Sequence, residues 1–368
     1  MDLYAVRILR DQPLRLSLTV GGIALCIVLM LFLMAAYRGV ADGSLDYIRR
    51  NRADLWVLQR NASNILRGSS VLFTGHGQQM QRIPGVKSAS PVLLILSTVR
   101  IGDQIATVFL TGYDVVTGVA GPPDLVAGRH VRSDDEIVLD KAFTAKYGLN
   151  VDDRIQIQDT TLQVVGVSSG TNAFVIQYAF VTLQQAQSLI GIPSLVTCYL
   201  IRVEKGQQTA QVAAAIREAL PEVEVYNHPT FLQNNVREVQ SGFLPFIYTV
   251  ASLGVVVLTA ILSLLLSINV LEKRKDFALL KTLGASRGFL SRIIVEQALL
   301  IATTALIAAL GLFFPLVRLV ERFAPEVTTK SSVEQVVGVA VVVGAMSILS
   351  AFISMQRLRW IYPMEAFS

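Results

Sequence analysis

The stretch that decides the fold is FLPFIYTVASLGVVVLTAILSLLLSINVL, which runs from Phe243 to Leu271 without a charged residue. A helix needs about 20 residues at 1.5 Å each to cross a hydrocarbon core of about 30 Å. Because that core holds no water, the backbone of a spanning segment must satisfy its own hydrogen bonds, and one isolated segment can do so only as a helix. The stretch therefore predicts a membrane-spanning helix over 243–271.

Three further windows, 16–37, 293–317 and 336–355, have the same apolar character, and only 293–317 contains an acidic residue, Glu296. The window 16–37 is longer than the 7–15 apolar residues of a signal peptide, so we interpret it as a retained helix. Across the whole chain, 52% of the residues are hydrophobic and 16% are charged, whereas a soluble chain carries about 25% charged residues. The sequence predicts an α-helical membrane protein with four transmembrane helices.

Positive charge predicts the orientation of these helices, because loops rich in Lys and Arg stay in the cytoplasm. Three basic segments lie on one side in a four-helix count: residues 1–15, the loop 272–292 and the tail 356–368. We therefore expect a multi-pass membrane protein, in contact with membrane lipid, with both termini in the cytoplasm. The net charge of +5 is too mild to indicate a nucleic-acid partner.

Residues 42–240, between the first and second helices, have a soluble composition and predict a large α/β extracytoplasmic domain. Strand–helix–strand–strand patterns near 54–111 and a strand–helix–strand pattern near 196–226 predict a split β-α-β lobe, with a second lobe inserted at about 124–195. The patterns predict strands at 54–59, 91–99, 104–111, 154–158, 162–167 and 196–203, and helices at 77–83, 141–147, 183–190 and 209–220.

The motifs of common enzyme chemistries are missing from this sequence. It contains neither the G-x-x-x-x-G-K-[ST] loop that cradles phosphates nor an H-E-x-x-H zinc motif. Residues 166–170 fit G-x-S-x-G, but a β-like run follows the serine where a nucleophile elbow needs a helix, which favours a turn between strands. His76, His130 and His228 lie far apart and are interpreted as surface residues. We expect no catalytic residues, no metal and no cofactor.

Glu296 is the only ionisable residue well inside a predicted span. Charged groups in lipid are costly and often functional. Glu296 lies close to the predicted cytoplasmic end, one turn after Arg292, where the two could pair. The sequence favours a structural or partner-facing role, and a role in binding substrate stays open.

The loop between the second and third helices reads EKRKDFALLKTLGAS from Glu272 to Ser286. Charges come first, and Phe277, Leu280 and Leu283 then recur at three-residue spacing, which is typical of an apolar ridge on a short helix. Gly284 is a candidate C-terminal cap. Such a helix could lie on the membrane surface or fit into a groove on a cytosolic partner.

This loop resembles the E-R-x-x-E-I-G-I-L-R-A-L-G-A-S signature of MacB/FtsX-type ABC transporter permeases. The stretch from Ala127 to Val167, which ends in VVGV, resembles the outer domain of that family, and the tail YPMEAF resembles its P-x-E-A-L ending. The number of helices and the large domain after the first helix agree as well, so the resemblance spans the whole chain.

The resemblance implies a permease of the bacterial inner membrane that forms a homodimer and recruits two copies of a separate ABC-type ATPase, which binds the ATP. It assigns the loop as the coupling helix that seats in the ATPase, and Gly21 and Gly22 are small residues suited to a helix interface. The coupling role falls on Glu272, Lys273, Arg274, Asp276, Phe277, Leu280, Lys281, Leu283 and Gly284.

The resemblance further implies that ATP-driven closure moves the outer domain without passing substrate through the bilayer. The sequence favours export or extraction of an amphipathic substrate together with a periplasmic adaptor and an outer-membrane channel. Two alternatives stay open: a signalling or scaffolding subunit that regulates extracytoplasmic hydrolases, and a permease for lipoprotein release.

Overall fold

The structure is a computed structural model that describes residues 13–51, 53–66, 68–173, 176–272, 279, 285–323, 329 and 332–358. The chain divides into two compact units. We call the first the membrane unit, which takes its residues from 1–38, 245–319 and 329–368. We call the second the sheet unit, which takes its residues from 39–244 and 320–328.

Four long apolar helices confirm the predicted fold class: α1 (Pro13–Arg50), α6 (His228–Glu272), α7 (Arg287–Phe323) and α8 (Val333–Leu358). Each contains an 18-residue window with a mean hydropathy of 2.3 to 2.6, which is long and apolar enough to cross a membrane. All four helices contribute to the core of the membrane unit, which includes Ile27, Leu262, Ile294, Ala298, Val343 and Met346.

A mixed α/β domain lies between α1 and α6 in the sequence, as predicted. In chain order its elements are β1 (Leu55–Gln59), β2 (Leu72–Phe73), α2 (Thr74–Gln81), β3 (Val86–Ile101), β4 (Gln104–Tyr113), β5 (Asp124–Gly128), β6 (Glu136–Asp140), α3 (Lys141–Tyr147), β7 (Arg154–Ile157), β8 (Thr160–Ser169), β9 (Asn172–Ala173), β10 (Ile176–Thr182), α4 (Leu183–Ile190), β11 (Leu195–Val196), β12 (Cys198–Val203), α5 (Thr209–Ala219) and β13 (Val223–Asn227).

The first lobe of the sheet unit has the strand order β13-β1-β12-β3. Neighbouring strands are antiparallel, and α2 and α5 supply the crossovers of a split β-α-β arrangement. Residues from both helices and from the strands, among them Met80, Val212 and Ile216, form one apolar core on this face.

The second lobe is a closed ring of six strands. β3 pairs with β4, β4 with β10, β10 with β6, β6 with β8, β8 with β7, and β7 returns to β3. One face of each of the six strands contributes to a shared interior core. Because the ring includes β4 and the second half of β3, it begins before residue 124, where the sequence predicts the inserted lobe to start.

Two strands of this ring were not among the predicted ones, although all six predicted strands and all four predicted helices fall on observed elements. β6 and β10 are buried almost throughout, so they lack the alternation that marks a half-buried strand. Both belong to parallel pairs, β6 with β8 and β10 with β4, and such strands are commonly covered on both faces.

A buried hydroxyl in this sheet generates a stability prediction. Thr111 Oγ1 is the only buried side-chain N or O atom without a hydrogen-bond partner among the described residues. Burial of an unpaired hydroxyl costs free energy, so Thr111→Val should raise the free energy of unfolding by about 1 kcal/mol. Denaturant unfolding of the full chain in detergent measures this change.

Thr197→Val is the matched control, because the Thr197 hydroxyl accepts from the Leu94 N–H at 2.9 Å and contacts the Leu94 carbonyl at 3.2 Å. This variant leaves both backbone groups unpaired and should lower the free energy of unfolding by about 1–3 kcal/mol. A loss of stability in Thr111→Val would contradict the assignment of an unpaired hydroxyl.

The loop before β6 generates a prediction about pH. Two hydrogen bonds from the Arg129 guanidinium, one of them at 2.7 Å, lower the pKa of Glu136 to about 2. A carboxylate with a lowered pKa stabilises the fold above its unfolded pKa, near 4.5, and this contribution is lost as the pH falls towards 2. Arg129→Met should therefore reduce the melting temperature at pH 7 and have progressively less effect below pH 4.5.

The control for this prediction is Arg132→Met, because Arg132 binds Glu136 through its backbone N–H, which the substitution retains. Thermal unfolding of both variants between pH 7 and pH 3 is the measurement. An Arg129→Met effect that stays constant over this range would show that the ion pair does not carry the stability.

Candidate functional site

The predicted coupling loop lies between α6 and α7. α6 ends at Glu272, which is exposed, and α7 begins at Arg287. Within the loop, Leu279 is 54% exposed, which places a large apolar side chain at its surface. The remaining predicted coupling residues lie outside the described residues: Lys273, Arg274, Asp276, Phe277, Leu280, Lys281, Leu283 and Gly284.

The last residue of the loop motif starts the next helix. The Ser286 side-chain oxygen accepts a hydrogen bond from the Phe289 N–H at 3.2 Å, and the Ser286 carbonyl accepts from Leu290 at 3.2 Å. A serine in this position satisfies amide groups that the first turn of a helix leaves unpaired. The motif therefore encodes the end of the loop as well as the loop itself.

The structure places Glu296 beside Arg292 on α7. The Arg292 Nε atom donates to Glu296 Oε1 at 2.8 Å, and the Glu296 side chain is 30% exposed. The neighbouring Gln297 is buried. An i,i+4 ion pair supplies Glu296 with a partner inside its own helix, which fits the structural role that the sequence favours.

Gly21 and Gly22 lie on a face of α1 that has no close neighbour within the described chain. A Cβ atom added at either glycine would meet no atom within 4 Å. Leu18, Leu25 and Leu29 are 71%, 64% and 53% exposed, and their spacing places them on the same side as Gly22. Within the described part of this chain, no other helix therefore packs against the two glycines. They lie among exposed leucines on this side of α1.

Three polar contacts join α1 to the start of α8 inside the membrane unit. The Arg38 guanidinium donates to the Ser332 hydroxyl and pairs with Glu334 at 3.4 Å. One turn back along α1, the Met34 carbonyl accepts from the side chain of Gln335 at 3.0 Å. Ser332 and Gln335 also form a capping box for α8. The sequence alone does not reveal this cluster, although Arg38 directly follows an apolar window.

A ladder of serine hydroxyls joins α6 to α8. Ser350 donates to the Thr259 carbonyl at 3.1 Å and Ser354 donates to the Ser263 carbonyl at 3.0 Å. Small hydroxyl residues let helices approach closely in a membrane, where they also supply hydrogen bonds. Beside the ladder lies a groove of about 480 Å³, lined mainly by α6.

In the sheet unit, the end of α1 and the start of α6 pack on the same core. The Tyr47 ring of α1 stacks on Tyr178 with ring centroids 4.7 Å apart, and the Phe231 ring of α6 stacks on Trp56 at 4.4 Å. These four aromatic residues belong to one buried cluster. Each helix is thereby anchored in the sheet unit by a buried aromatic pair, which adds to the effect of area burial alone.

A buried amide strengthens the anchor of α6. Asn235 is fully buried, and its Oδ1 atom accepts from the Ile65 N–H at 3.2 Å. At the first residue of α6, His228 Nδ1 accepts from the indole N–H of Trp56 at 3.2 Å. His130 is exposed as predicted, whereas His228 and His76 are only partly exposed and have polar partners, since His76 pairs with Glu222 at 3.1 Å.

A cleft of about 1040 Å³ lies at the carboxyl ends of the parallel strands β4 and β10. Ligand sites occur preferentially at this edge of parallel strands and at the junction of lobes. The lining is mixed, with carboxylate, guanidinium, amide, hydroxyl and apolar groups. It includes Pro91, Tyr113, Asp114, Val115, Arg132, Ser133, Asp134, Thr182, Leu183, Gln184, Gln187, Ser188, Gly191 and Pro193.

The G-x-S-x-G match forms part of a strand and a helix cap. Ser168 is fully buried near the end of β8 and contacts the Thr171 hydroxyl at 2.8 Å. Thr171 in turn donates to Asp140, whose carboxylate caps α3 by accepting from Ala142 at 2.7 Å. Burial raises the pKa of Asp140, and the hydrogen bond from Thr171 opposes that rise. A capping role accounts for all these contacts.

The described residues contain no group of three or more His, Cys, Asp or Glu side chains that could hold a metal ion. Cys198 is fully buried, and burial raises the pKa of its thiol to about 12. A thiol in this state is unreactive, because the thiolate is the nucleophile and the metal ligand. Cys198 therefore serves as a small packing residue.

Two family models match the chain. A model of the MacB-like periplasmic core domain matches residues 16–219, which is more than half of the chain, and a model of the FtsX-like permease C-terminal domain matches residues 248–363. The chain is also 24% identical over 304 residues to uncharacterized ABC transporter permeases of Mycobacterium bovis and Mycobacterium tuberculosis, covering 80% of each chain.

Solved structures resemble the chain more distantly. The periplasmic region of MacB from Actinobacillus actinomycetemcomitans is 15% identical, with a TM-score of 0.40 over 49% of this chain and 90% of that one. The extracellular domain of the ABC-type transporter YknZ is 12% identical, with a TM-score of 0.38 over 48% of this chain and 100% of that one. On the two family models, the chain belongs to the MacB/FtsX family of ABC transporter permeases, multi-pass inner-membrane proteins that work with an ATPase subunit.

Proposed function

We propose that this permease converts ATP hydrolysis by a separate cytosolic ATPase into movement of the sheet unit, and that this movement exports or extracts an amphipathic substrate. The observation that carries the proposal is that two helices supply residues to both units. α1 contributes residues up to Arg38 to the membrane unit and Gly39 onwards to the sheet unit, and α6 crosses the boundary between Leu244 and Pro245.

The length of these two helices supports mechanical coupling. α1 has 38 residues and α6 has 45, which corresponds to about 57 Å and 68 Å at 1.5 Å per residue. A membrane core of about 30 Å accounts for only part of either length. Because both ends of α1 and α6 are anchored in packed cores, a displacement in the membrane unit would reach the sheet unit along continuous helix, which in α6 includes Pro245 at the boundary.

Charge supports a cytoplasmic location for the loop and both termini. The loop is rich in Lys and Arg, and residues 1–15 contain three arginines, whereas Asp42 and Asp46 follow the apolar window of α1 and pair with Arg49. The sheet unit then lies outside the cytoplasm. A periplasmic adaptor and an outer-membrane channel would complete an export path, and no catalytic role is assigned to the chain itself.

The partner-facing surfaces are the coupling loop and the α1 stripe. The charged and apolar residues of 272–284 would seat in a groove of the ATPase, and two copies of this chain would recruit two ATPase subunits. The exposed stripe of Leu18, Gly22, Leu25 and Leu29 offers a surface through which two copies could pack closely in the membrane.

The coupling loop generates the first prediction of this proposal. Phe277→Asp combined with Leu280→Asp places two carboxylates on the apolar ridge, so the ATPase should no longer copurify and its stimulation in membrane vesicles should be lost. Ala278→Asp combined with Thr282→Asp is the matched control, because it adds the same two carboxylates on the opposite side of the predicted helix and should retain both. Copurification and stimulation that survive in the double variant would refute the coupling assignment.

The exposed stripe on α1 generates the second prediction of this proposal. Gly22→Ile should weaken dimerisation at least tenfold, about 1.4 kcal/mol, because the added side chain would separate the two copies. The free space beside Gly22 within the chain means that the monomer should still fold. Gly311→Ile on α7 also adds a side chain in open space and should leave the dimer intact. The mass of the detergent-solubilised protein, measured by light scattering over a dilution series, separates the two outcomes.

A dimer that tolerates Gly22→Ile as well as it tolerates Gly311→Ile would exclude this face of α1 as the interface.

A further inference from the structure

The loop that joins β4 to β5 forms part of the wall of the large cleft. We call residues 114–124 the rim loop. Asp114 and Val115 line the cleft, and Val116 next to them is 91% exposed. The lining also includes Gln184, Gln187 and Ser188 of α4. The position of the rim loop relative to α4 therefore affects the width of the cleft.

The far end of the rim loop is held by α1. The Tyr47 hydroxyl donates to the Ala120 carbonyl at 2.9 Å, and Tyr47 is fully buried. Because the Tyr47 ring also stacks on Tyr178 in β10, the hydroxyl is fixed in position and cannot swing away from the loop.

The residue that Tyr47 holds has a strained backbone. Ala120 has a φ of 68° and is 1% exposed. A side chain at this φ is unfavourable and persists only where the surroundings impose it. Next to it, a Cβ atom at Gly121 would lie 2.7 Å from the Tyr113 ring, so the loop backbone is pressed against β4. The strain marks the point where α1 and the sheet together determine the path of the loop.

A second contact from α1 reaches the last residue of the rim loop. The Arg50 guanidinium donates to the Asp124 carboxylate, where β5 begins. One turn before Tyr47, the helix touches the sheet directly, because a Cβ atom at Gly43 would lie 2.4 Å from the Asn172 carbonyl oxygen. Tyr47 and Arg50 lie one turn apart on α1, so a movement of the helix would displace both of their contacts with the loop together.

We infer that α1 controls the width of the cleft by holding the rim loop through Tyr47 and Arg50. Both are positioning residues, and the inference rests on the proposed function, since ATP-driven movement of α1 is what would move the loop. A displacement of the helix end would carry Ala120 and Asp124 with it and shift Asp114 and Val115 relative to α4. The cleft is thereby a part of the sheet unit that would respond directly to the state of the ATPase.

Spin labels across the cleft test this inference. The full chain carries Cys26→Ala and Cys198→Ala, which remove the native thiols. Spin labels are attached at Val116→Cys and Ser188→Cys, and the labelled protein is placed in nanodiscs with the copurified ATPase. Double electron–electron resonance then gives the distance before and after trapping of ATP with vanadate. We expect vanadate trapping to shift the distance between the two labels in the parent protein. Tyr47→Phe combined with Arg50→Gln should abolish this shift while stimulation of the ATPase persists.

Arg49→Gln is the matched control, because Arg49 pairs with Asp42 and Asp46 on its own helix and not with the loop. It should retain the shift. The nucleotide-free distance distribution checks that each variant is folded, and Arg50→Gln alone, at a half-exposed position, gives a partial loss if the double variant does not fold.

Stimulation of the ATPase with no shift in the parent protein, or a full shift in the Tyr47 and Arg50 variants, would overturn the inference. Absence of any stimulation by the parent protein would instead overturn the proposed function, and with it the source of movement.

Discussion

The rest of the structure depends on the requirement that a backbone in lipid satisfies its hydrogen bonds within its own helix. This requirement makes α1 and α6 unbroken helices across the apolar windows, and in both cases the helix continues into the sheet unit. In both cases the helix continues past the apolar residues, although Pro245 removes one backbone donor from α6, and each helix is longer than any bilayer needs. The same constraint that allows the chain to span the membrane therefore supplies a stiff connection to the sheet unit.

The sheet unit is built to receive these helices on one face. Its six-stranded ring fills its own interior with aliphatic side chains, and α2 and α5 cover the core of the first lobe. The aromatic cluster of Tyr47, Trp56, Tyr178 and Phe231 lies in a separate core, where the ends of α1 and α6 pack. A helix end that is buried among aromatic rings cannot move without moving the strands that it contacts, which is what mechanical coupling requires.

Much of this architecture could be predicted from the sequence, because uncharged windows such as 243–271 and the alternation in 104–111 reflect burial directly. β6 and β10 escaped prediction because burial on both faces removes alternation. The roles of Tyr47 and Arg50 could not be predicted, since each depends on a partner more than 70 residues away in the chain. The coupling residues from Lys273 to Gly284, apart from Leu279, lie outside the described residues, so their role rests on the loop motif and on family membership.

The central claim is that the state of a cytosolic ATPase reaches the sheet unit through α1 and α6. Amide hydrogen exchange of the nanodisc complex, followed by mass spectrometry with and without bound ATP, tests this claim most directly. The account predicts that ATP changes exchange in residues 114–124 and in the segments of α1 and α6 that lie in the sheet unit. Changes confined to the cytoplasmic loop and the ATPase, with the sheet unit unaffected, would contradict it.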